Sequence, residues 1–225
     1  TLSANRIASN KVHIYLLGNR SRAASSVMLG GTLDAKSSVV RGRQININQN
    51  LTLKGNSMLD AVSSIQVNAV IDASSNRRLL ALSSGTGAGQ GVQFGTAGKI
   101  NLSGLNMAYR ENGQYYQIIR TLDQLQAIDN GDIGNIDFTA LAGHYVLGAD
   151  IDASATSGWN YGAGFSPLGG NGSGIAFTGS FNGLGHQISN LHIYRPEFDE
   201  RSSQGGVMYP DPYGFSGYNI GLFAL

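Results

Sequence analysis

The sequence predicts an all-β protein built from short strands, and three observations carry that prediction. Short runs of alternating apolar and polar residues arrive about every 10 residues, with glycine-rich turn signals between them. Charged residues make up only 13% of the chain, about half of the ~25% that is usual in globular proteins. The unit Ile-Asp-Ala-Ser occurs at 71–74 and again at 151–154, and shorter Leu-Asp-Ala units occur at 33–35 and 59–61.

A parallel β-helix, or solenoid, explains this sequence pattern better than a β-sandwich does. Apolar and polar residues alternate only loosely within the predicted strands, and short sequence units recur frequently. The asparagines of residues 45–50 suit ladders of stacked side chains at the corners of such a solenoid. At about 22 residues per turn, the chain would make roughly ten turns.

The strands follow one another through the first half of the chain. Residues 1–24 carry the weakest pattern, with one predicted strand at 12–17. The strands predicted after it are residues 44–48, 51–54, 65–71, 79–82 and 99–102. The glycine-rich run at 83–91 predicts a flexible loop that leaves the solenoid. Residues 109–119 predict a hairpin.

One short α-helix is predicted at 121–129, on the flank of the solenoid. The run Thr-Leu-Asp-Gln at 121–124 fits the capping-box pattern that begins many helices. Three apolar residues then fall on one helix face: Leu122, Leu125 and Ile128. Residues 129–137 predict a polar connection. Farther on, Asn182-Gly183 is a strong tight-turn signal.

A long loop insertion is predicted at 194–213, where three of the four prolines lie. Insertions in repeat arrays usually emerge on a functional face, and tyrosine and arginine are favoured in binding hot spots. The candidate ligand-binding residues of this loop are Tyr194, Arg195, Phe198, Arg201, Tyr209 and Tyr213. The alternative interpretation is a loop that covers an apolar side of the solenoid.

Charge divides the chain into two halves. Residues 1–110 carry twelve basic and three acidic side chains, a net charge of +9, and residues 111–225 carry three basic and eleven acidic side chains, a net charge of −8. We interpret them as one continuous solenoid with a basic half and an acidic half. The candidate glycan-binding basic face consists of Arg41, Arg43, Arg77 and Arg78. The alternative is a solvated charged edge that prevents sideways aggregation.

The second half carries a family resemblance. Its motifs are Tyr-x-Leu-x-x-Asp-Ile-Asp at 145–152, Gly-Phe-x-Pro-Leu-Gly at 164–169, Phe-x-Gly-x-Phe-x-Gly-x-Gly-His-x-Ile-x-x-Leu at 177–191, and Gly-Leu-Phe at 221–223. From roughly Tyr115 to Phe223 the chain resembles the GLUG-type repeat region of filamentous-haemagglutinin-like adhesins, bacterial exoproteins exported by two-partner secretion. The resemblance implies a right-handed parallel β-helix, a role in attachment, and an outer-membrane transporter as partner of the parent protein. The chain lacks the family's secretion-domain motif, so we expect an interior fragment.

The sequence offers little for catalysis or metal binding. The common nucleophile, phosphate-loop, dinucleotide and zinc-protease motifs are absent. Asp150 and Asp152 could bind calcium, but the pattern favours turn-capping aspartates, because no further acids cluster nearby. The four histidines show no metal-ligand spacing. Three aromatic residues could form a sugar-stacking platform, although a structural role is favoured: Trp159, Tyr161 and Phe165. We therefore expect no cofactor, no metal and no catalytic residues.

These observations lead to one predicted function and two alternatives. We expect a non-enzymatic, rod-like segment of a large adhesin, secreted or exposed on a bacterial cell surface, which attaches to a host-cell glycan or receptor. Nucleic acid is not expected as a partner, because the basic half has few aromatics to stack bases, and membrane insertion is not expected either. The alternatives are a polysaccharide lyase or hydrolase built on a β-helix, and a purely structural spacer.

Overall fold

The computed structural model describes residues 2–8, 13–21, 25–129, 138–169, 176–194 and 221–223 of the 225-residue chain. The chain divides into two compact units. The first unit comprises Thr1–Arg120, His144–Ala149 and Phe181–Gln187, and the second comprises Thr121–Gly143, Asp150–Ser180 and Ile188–Leu225. The charge boundary at residue 110 therefore falls inside the first unit.

Strands dominate the described residues, so the all-β prediction is confirmed. They are β1 (Leu2–Ala8), β2 (His13–Leu17), β3 (Ser26–Asp34), β4 (Ser37–Leu53), β5 (Asn56–Val67), β6 (Val70–Asp72), β7 (Leu79–Ser83), β8 (Gly91–Phe94), β9 (Lys99–Asn101), β10 (Ala108–Glu111), β11 (Gln114–Ile119), β12 (His144–Leu147), β13 (Ile151–Asp152), β14 (Ser180–Asn182) and β15 (Ile188–Ser189). The helices are α1 (Leu122–Gln126), α2 (Phe138–Leu141) and three 3₁₀ turns at Ala127–Asp129, Ser154–Gly158 and Asn160–Gly162.

Thirteen of the described strands join in one sheet, in which the chain returns to pair with itself in parallel. The backbone of Ile45 in β4 lies between that of Val27 in β3, which precedes it in the chain, and that of Ile65 in β5, which follows it. Ile65 pairs in turn with Val92 in β8. We call this series of stacked strands the first ladder.

Two more ladders run through the same segments of chain. In the second ladder Leu51 pairs with Ile71 and Ile71 with Ile100. In the third ladder Leu59 of β5 pairs with Val40 of β4 and with Leu82 of β7. Strands β4 and β5 are long because each bends from one ladder into the next without a break.

The ladders align apolar side chains into columns, which form the core of the first unit. Val27, Ile45 and Ile65 are 1%, 0% and 0% exposed, and the other two ladders bury matching columns of leucine and isoleucine. Full burial of such a side chain contributes about 1.5–3 kcal/mol. Because strand residues alternate between faces, the intervening side chains point outward, and many of them are amides.

Asparagine side chains satisfy the backbone where the chain turns between ladders. Asn50 accepts a hydrogen bond from the backbone N–H of Val70 at 3.2 Å, and Asn76 accepts one from that of Leu105 at 2.7 Å. Asn48 and Asn68 bond to each other side by side at 2.8 Å. Each of these bonds joins one return of the chain to the next, as the predicted asparagine ladders require.

The predicted hairpin at 109–119 is confirmed, because β10 and β11 pair in antiparallel order, with Tyr109 opposite Tyr116. Arg120 follows the hairpin and bonds to backbone carbonyls of the first unit, at 2.7 Å to Leu102 and 3.1 Å to Gly104. Its guanidinium therefore fastens the segment after the hairpin to the turn that follows β9.

The predicted helix at 121–129 is confirmed as α1 followed by a 3₁₀ turn. The hydroxyl of Thr121 accepts the backbone N–H of Gln124 at 3.2 Å, as a capping residue does. Asp129 was predicted to begin a polar connection, but it is buried, with only 8% exposed. Its carboxylate accepts the backbone N–H of Gly169 at 3.3 Å. Residues 130–137 lie outside the described part of the chain.

The tight turn predicted at Asn182-Gly183 is centred two residues later. Strand β14 ends at Asn182, and the backbone N–H of His186 bonds to the carbonyl of Gly183 at 2.8 Å. Leu184 and Gly185 occupy the centre of the turn, with φ angles of 49° and 82°. Leu184 is completely buried, so core packing places a leucine where the local pattern favours asparagine or glycine.

Candidate binding surface

The four arginines predicted to form one basic face lie at two separate corners of the first unit. Arg41 ends the part of β4 that belongs to the third ladder, whereas Arg77 and Arg78 precede β7, at the opposite end of that ladder. Because β7 is five residues long and strands rise about 3.3 Å per residue, the two corners are roughly 16 Å apart. The four residues therefore do not form a single patch.

At the corner that carries Arg41 and Arg43, one carboxylate offsets part of the positive charge. The carboxylate of Asp60 lies 3.2 Å from the guanidinium of Arg41 and 2.6 Å from that of Arg20. Arg43 is half-buried, next to a register irregularity between Gly42 and Gln44 in β4. This corner thus holds three arginines, two of which, Arg20 and Arg41, share one carboxylate.

The second corner, which we call the basic corner, carries Lys36, Lys54, Arg77 and Arg78. All four residues are exposed. The ammonium of Lys54 lies 3.0 Å from the carboxylate of Asp34. Within the described part of the chain, the other three cations form no ion pair. Sequence reasoning missed the two lysines, although Lys36 directly follows the first Leu-Asp-Ala unit.

Backbone hydrogen bonds hold the basic corner in place. The N–H of Asn56 bonds to the carbonyl of Lys36 at 3.0 Å, and the carbonyl of Arg78 accepts the N–H of Ala108 at 2.8 Å. A Cβ atom added at Gly55 would lie 2.0 Å from the carbonyl oxygen of Ala35. Successive turns of the chain are therefore stacked too closely here for any side chain at position 55.

Arg77 adopts a backbone conformation that arginine rarely takes. Its φ angle is 56°, in the left-handed region that glycine and asparagine occupy at lower cost. The backbone N–H of Arg77 bonds to the carbonyl of Leu105 at 2.9 Å. The side chain is consequently presented from a rigid backbone.

Of the residues predicted in the 194–213 loop, only Tyr194 belongs to the described part of the chain. Tyr194 is 57% exposed, its backbone N–H bonds to the carbonyl of Ala163 at 2.9 Å, and its ring stacks on that of His192 with centroids 6.5 Å apart. The predicted loop residues outside the described part are Arg195, Phe198, Arg201, Tyr209 and Tyr213. The interpretation of this loop as a recognition element stays a prediction.

The aromatic platform, the less favoured interpretation of Trp159, Tyr161 and Phe165, is not formed. Phe165 is completely buried, whereas Tyr161 is 92% exposed and has a φ angle of 55°. Trp159 is half-buried. The three rings therefore differ too much in exposure to offer one sugar-stacking surface, and Phe165 is a core residue of the second unit.

Asp152 is the turn-capping aspartate that the sequence favoured. Its carboxylate accepts the backbone N–H of Ser154 and the side-chain amide of Asn190, both at 3.0 Å. These bonds, led by that of Asn190, lower the pKa of Asp152 below the usual aspartate value. Asp150 is exposed and lies just before β13.

Two histidines of the second half are engaged with backbone carbonyls. Nε2 of His186 lies 3.0 Å from the carbonyl of Ile100, and Nε2 of His192 lies 3.1 Å from that of Gly162. Within the described residues, no group of three or more histidines and carboxylates is placed to hold a metal ion.

A buried tyrosine was not anticipated from the sequence. Tyr109 is fully buried and donates a hydrogen bond to the carboxylate of Glu111 at 2.8 Å. Burial, together with the negative charge of Glu111, raises the pKa of Tyr109 well above its ordinary value. Its ring packs against Tyr116, with centroids 5.7 Å apart. This pair of rings lies where the hairpin packs against the core of the first unit.

In the described part of the chain, no helix has both the length and the apolar character that crossing a bilayer requires.

Comparisons with known proteins give one partial match. No protein-family model and no solved structure matches the chain. A stretch of 84 residues, 36% of the chain, is 50% identical to part of halomucin from Haloquadratum walsbyi. That stretch is 1% of halomucin, so the chain spans only a very small part of this relative's length.

Proposed function

We propose that the first unit is a segment of a right-handed parallel β-helix, and that the chain is a non-catalytic attachment segment of a large extracellular or cell-surface protein. The observation that carries this proposal is the cyclic order of the ladders. From Ser26 to Asp72 the chain passes repeatedly through the first, second and third ladders in the same order. At each return it pairs in parallel with the segment of the coil before it.

Handedness follows from a general rule. A connection that joins parallel neighbours in one sheet is right-handed in about 98% of cases. The same rule applied to successive returns of this chain favours a right-handed coil, in agreement with the resemblance to the GLUG-type repeats. Each coil rises by the strand spacing of about 4.8 Å.

The match to halomucin, a large archaeal surface protein, supports an extracellular or cell-surface location. The finer proposals, an adhesin, two-partner secretion and an outer-membrane transporter as partner, rest on the sequence resemblance. In this function the ladders supply a stiff support, and loops and corners supply weak contacts that gain strength by repetition along a long parent protein.

The fold half of the proposal can be tested with an engineered disulfide. The natural chain has no cysteine, and the amide groups of Asn48 and Asn68 touch across two successive coils. Neighbouring parallel strands bring Cα atoms within the distance that a disulfide spans. We expect Asn48→Cys/Asn68→Cys to oxidise to an intramolecular disulfide, seen as a shift on a non-reducing gel and by mass spectrometry of linked peptides.

The matched control moves one cysteine two residues along the strand. In Asn48→Cys/Gln66→Cys the Cα atoms would be separated by roughly 8 Å, too far for a disulfide. Equal oxidation of both pairs, or of neither, would contradict the proposed stacking.

The attachment half is tested by binding to a glycan array. The intact chain is compared with a variant in which residues 195–212 are replaced by a short Gly-Ser link. Binding that is lost in the variant would assign recognition to the predicted loop, and binding that survives would assign it elsewhere on the chain. No binding by either protein would contradict attachment and leave the spacer function.

A further inference from the structure

We propose that the basic corner binds a linear acidic polysaccharide, whose chain runs along the direction in which the coils stack. This inference deepens the proposed attachment function and rests on it, since it names the ligand class and the residues that contact it. The ligand-binding residues are Lys36, Lys54, Arg77 and Arg78.

The first argument is the regular placement of charge. Lys36 lies in the turn between β3 and β4, Lys54 in the turn between β4 and β5, and Arg77 and Arg78 in the turn between β6 and β7. These three turns lie on three successive coils, and neighbouring coils are spaced by about 4.8 Å. Cations therefore recur at short, regular intervals over roughly 10 Å, which suits a polymer with regularly repeated anionic groups.

The second argument is the excess of positive charge at this corner. The four cations outnumber the two nearby carboxylates: Asp34 pairs with Lys54, and Asp72, which accepts the backbone N–H of Ser74 at 3.1 Å, forms no ion pair within the described residues. Lys36, Arg77 and Arg78 remain exposed without an ion-pair partner in the described part of the chain. An anionic polymer would neutralise these three cations, whereas at the other corner Arg20 and Arg41 both pair with Asp60.

The third argument concerns the surface beside the corner. The outer face of the second ladder presents polar side chains in register, with Thr32 beside Thr52 and Asp72 beside Asn101. These groups offer hydrogen-bond donors and acceptors to sugar hydroxyls. No aromatic residue occurs in residues 30–38, 51–56, 73–80 or 102–108, which surround the corner. Stacking platforms for bases are thus missing, which favours a polysaccharide over a nucleic acid.

The fourth argument is the conformation of Arg77. A non-glycine residue with positive φ is uncommon, and such positions are over-represented at functional sites. Asparagine would occupy this backbone more easily. Ligand binding by the side chain accounts for an arginine at this strained position.

The experiment measures binding of the full chain to immobilised chondroitin sulfate and polygalacturonate, with neutral dextran and a DNA duplex as comparison polymers. We expect binding to both acidic polysaccharides, no binding to dextran, and weaker binding as salt rises. The double variant Arg77→Asn/Arg78→Ser should bind at least tenfold more weakly. Lys36→Ser, a milder change on an exposed side chain, should weaken binding about threefold, as expected for the loss of a single exposed charge contact.

The matched control is Arg41→Ser/Arg43→Ser, which removes the same net charge from the other corner and should bind nearly as well as the natural chain. Thermal unfolding separates binding from folding, because Arg77→Asn alone should melt at the same temperature as the natural chain or higher while it loses affinity. If Arg77 had only a structural role, Arg77→Asn should instead lower the melting temperature.

Three outcomes would overturn the proposal. They are equal losses in the two double variants, which would indicate net charge alone, tighter binding to the DNA duplex than to either polysaccharide, and absence of binding to both acidic polysaccharides. None of these outcomes affects the disulfide test of the stacked coils. Failure of this inference can therefore be distinguished from failure of the fold on which the proposed function rests.

Discussion

The two copies of Ile-Asp-Ala-Ser fold alike in different surroundings. In the first unit Ile71 is buried, Asp72 caps the N–H of Ser74 at 3.1 Å, and the N–H of Ala73 bonds to the carbonyl of Asn101 at 3.0 Å. In the second unit the corresponding residues at 151–154 repeat this arrangement. Asp152 caps Ser154 at 3.0 Å, and the N–H of Ala153 bonds to the carbonyl of Ser189 at 2.8 Å.

What differs is how each unit holds the rest of its chain together. The copy at 71–74 lies between two neighbouring strands of the second ladder, β4 and β9. The copy at 151–154 pairs with the single short strand β15. The second unit then relies on side chains that bond to backbone groups. Gln126 exchanges two such bonds with Ser166, at 2.9 and 3.1 Å.

The two units are therefore vulnerable to different kinds of substitution. The first unit distributes its stability over many backbone hydrogen bonds and over continuous columns of apolar side chains, so its weak points are the column members. In the second unit a few buried polar groups each satisfy several backbone positions, so its weak points are single hydrogen-bonding side chains.

The largest effect is expected from a cavity in a column of the first unit. Ile65 is completely buried between Ile45 and Val92, so Ile65→Ala removes transfer energy and leaves a void. We expect a loss of about 2–5 kcal/mol in the free energy of unfolding, measured by urea titration with far-UV circular dichroism. The matched control is Gln66→Ala, which points outward from the same strand and should cost far less. Similar losses for both variants would contradict the column argument.

A smaller effect is expected from one hydroxyl in the second unit. Thr156 is completely buried, donates to the carbonyl of Ala153 at 2.6 Å and accepts the N–H of His192 at 2.9 Å. Thr156→Val keeps the shape but leaves the N–H of His192 without its partner, while the carbonyl of Ala153 keeps its bond from the backbone N–H of Thr156. This change should cost about 1–3 kcal/mol. Fluorescence of Trp159, the single tryptophan, reports on this unit during unfolding.

Thr156→Ser is the control for that substitution, because it keeps both hydrogen bonds and loses only a methyl group. If the valine variant is as stable as the serine variant, the hydrogen bonds of the hydroxyl do not stabilise the second unit, which would contradict the contrast between the units.

The smallest effect is the pH dependence of the capping aspartate in the second unit. Hydrogen bonds from Asn190 and Ser154 stabilise the carboxylate of Asp152 and lower its pKa in the folded state. Its contribution to stability is therefore present above the unfolded pKa of about 4 and is lost as the pH falls through the lower folded value. We expect the difference in urea midpoint between the natural chain and Asp152→Asn to shrink from pH 7 to pH 3. A difference that stays constant with pH would refute the assignment.

Local patterns predicted the elements well, because they depend on neighbouring residues. The strand predicted at 79–82 is β7, from Leu79 to Ser83, and the cap at Thr121 begins α1 as expected. The repeated Ile-Asp-Ala-Ser unit also folds as a strand end, an acidic corner and small residues. In each case the side chains that decide the structure lie close together in the sequence.

Features that depend on register could not be predicted. Arg41 and Arg77 both stand beside turns in the sequence, but only the pairing of β4, β5 and β7 shows that they lie at opposite ends of one ladder. The position of Lys36 could not be predicted for the same reason, since the residues that join it at the basic corner come much later in the sequence. Burial of Asp129 likewise depends on a bond to Gly169, which is distant in the sequence.

The variable length of the returns between paired strands has an evolutionary consequence. The return from Ile71 to Ile100 is clearly longer than the return from Val27 to Ile45, and the parallel register survives the change. The additional residues lie in the segments between strands, at the corners. Insertions can therefore accumulate there without disturbing the columns of buried side chains. A lineage of such proteins can therefore diversify its exposed segments while it keeps its architecture, and its relatives would be recognisable by core spacing long after their surfaces have diverged.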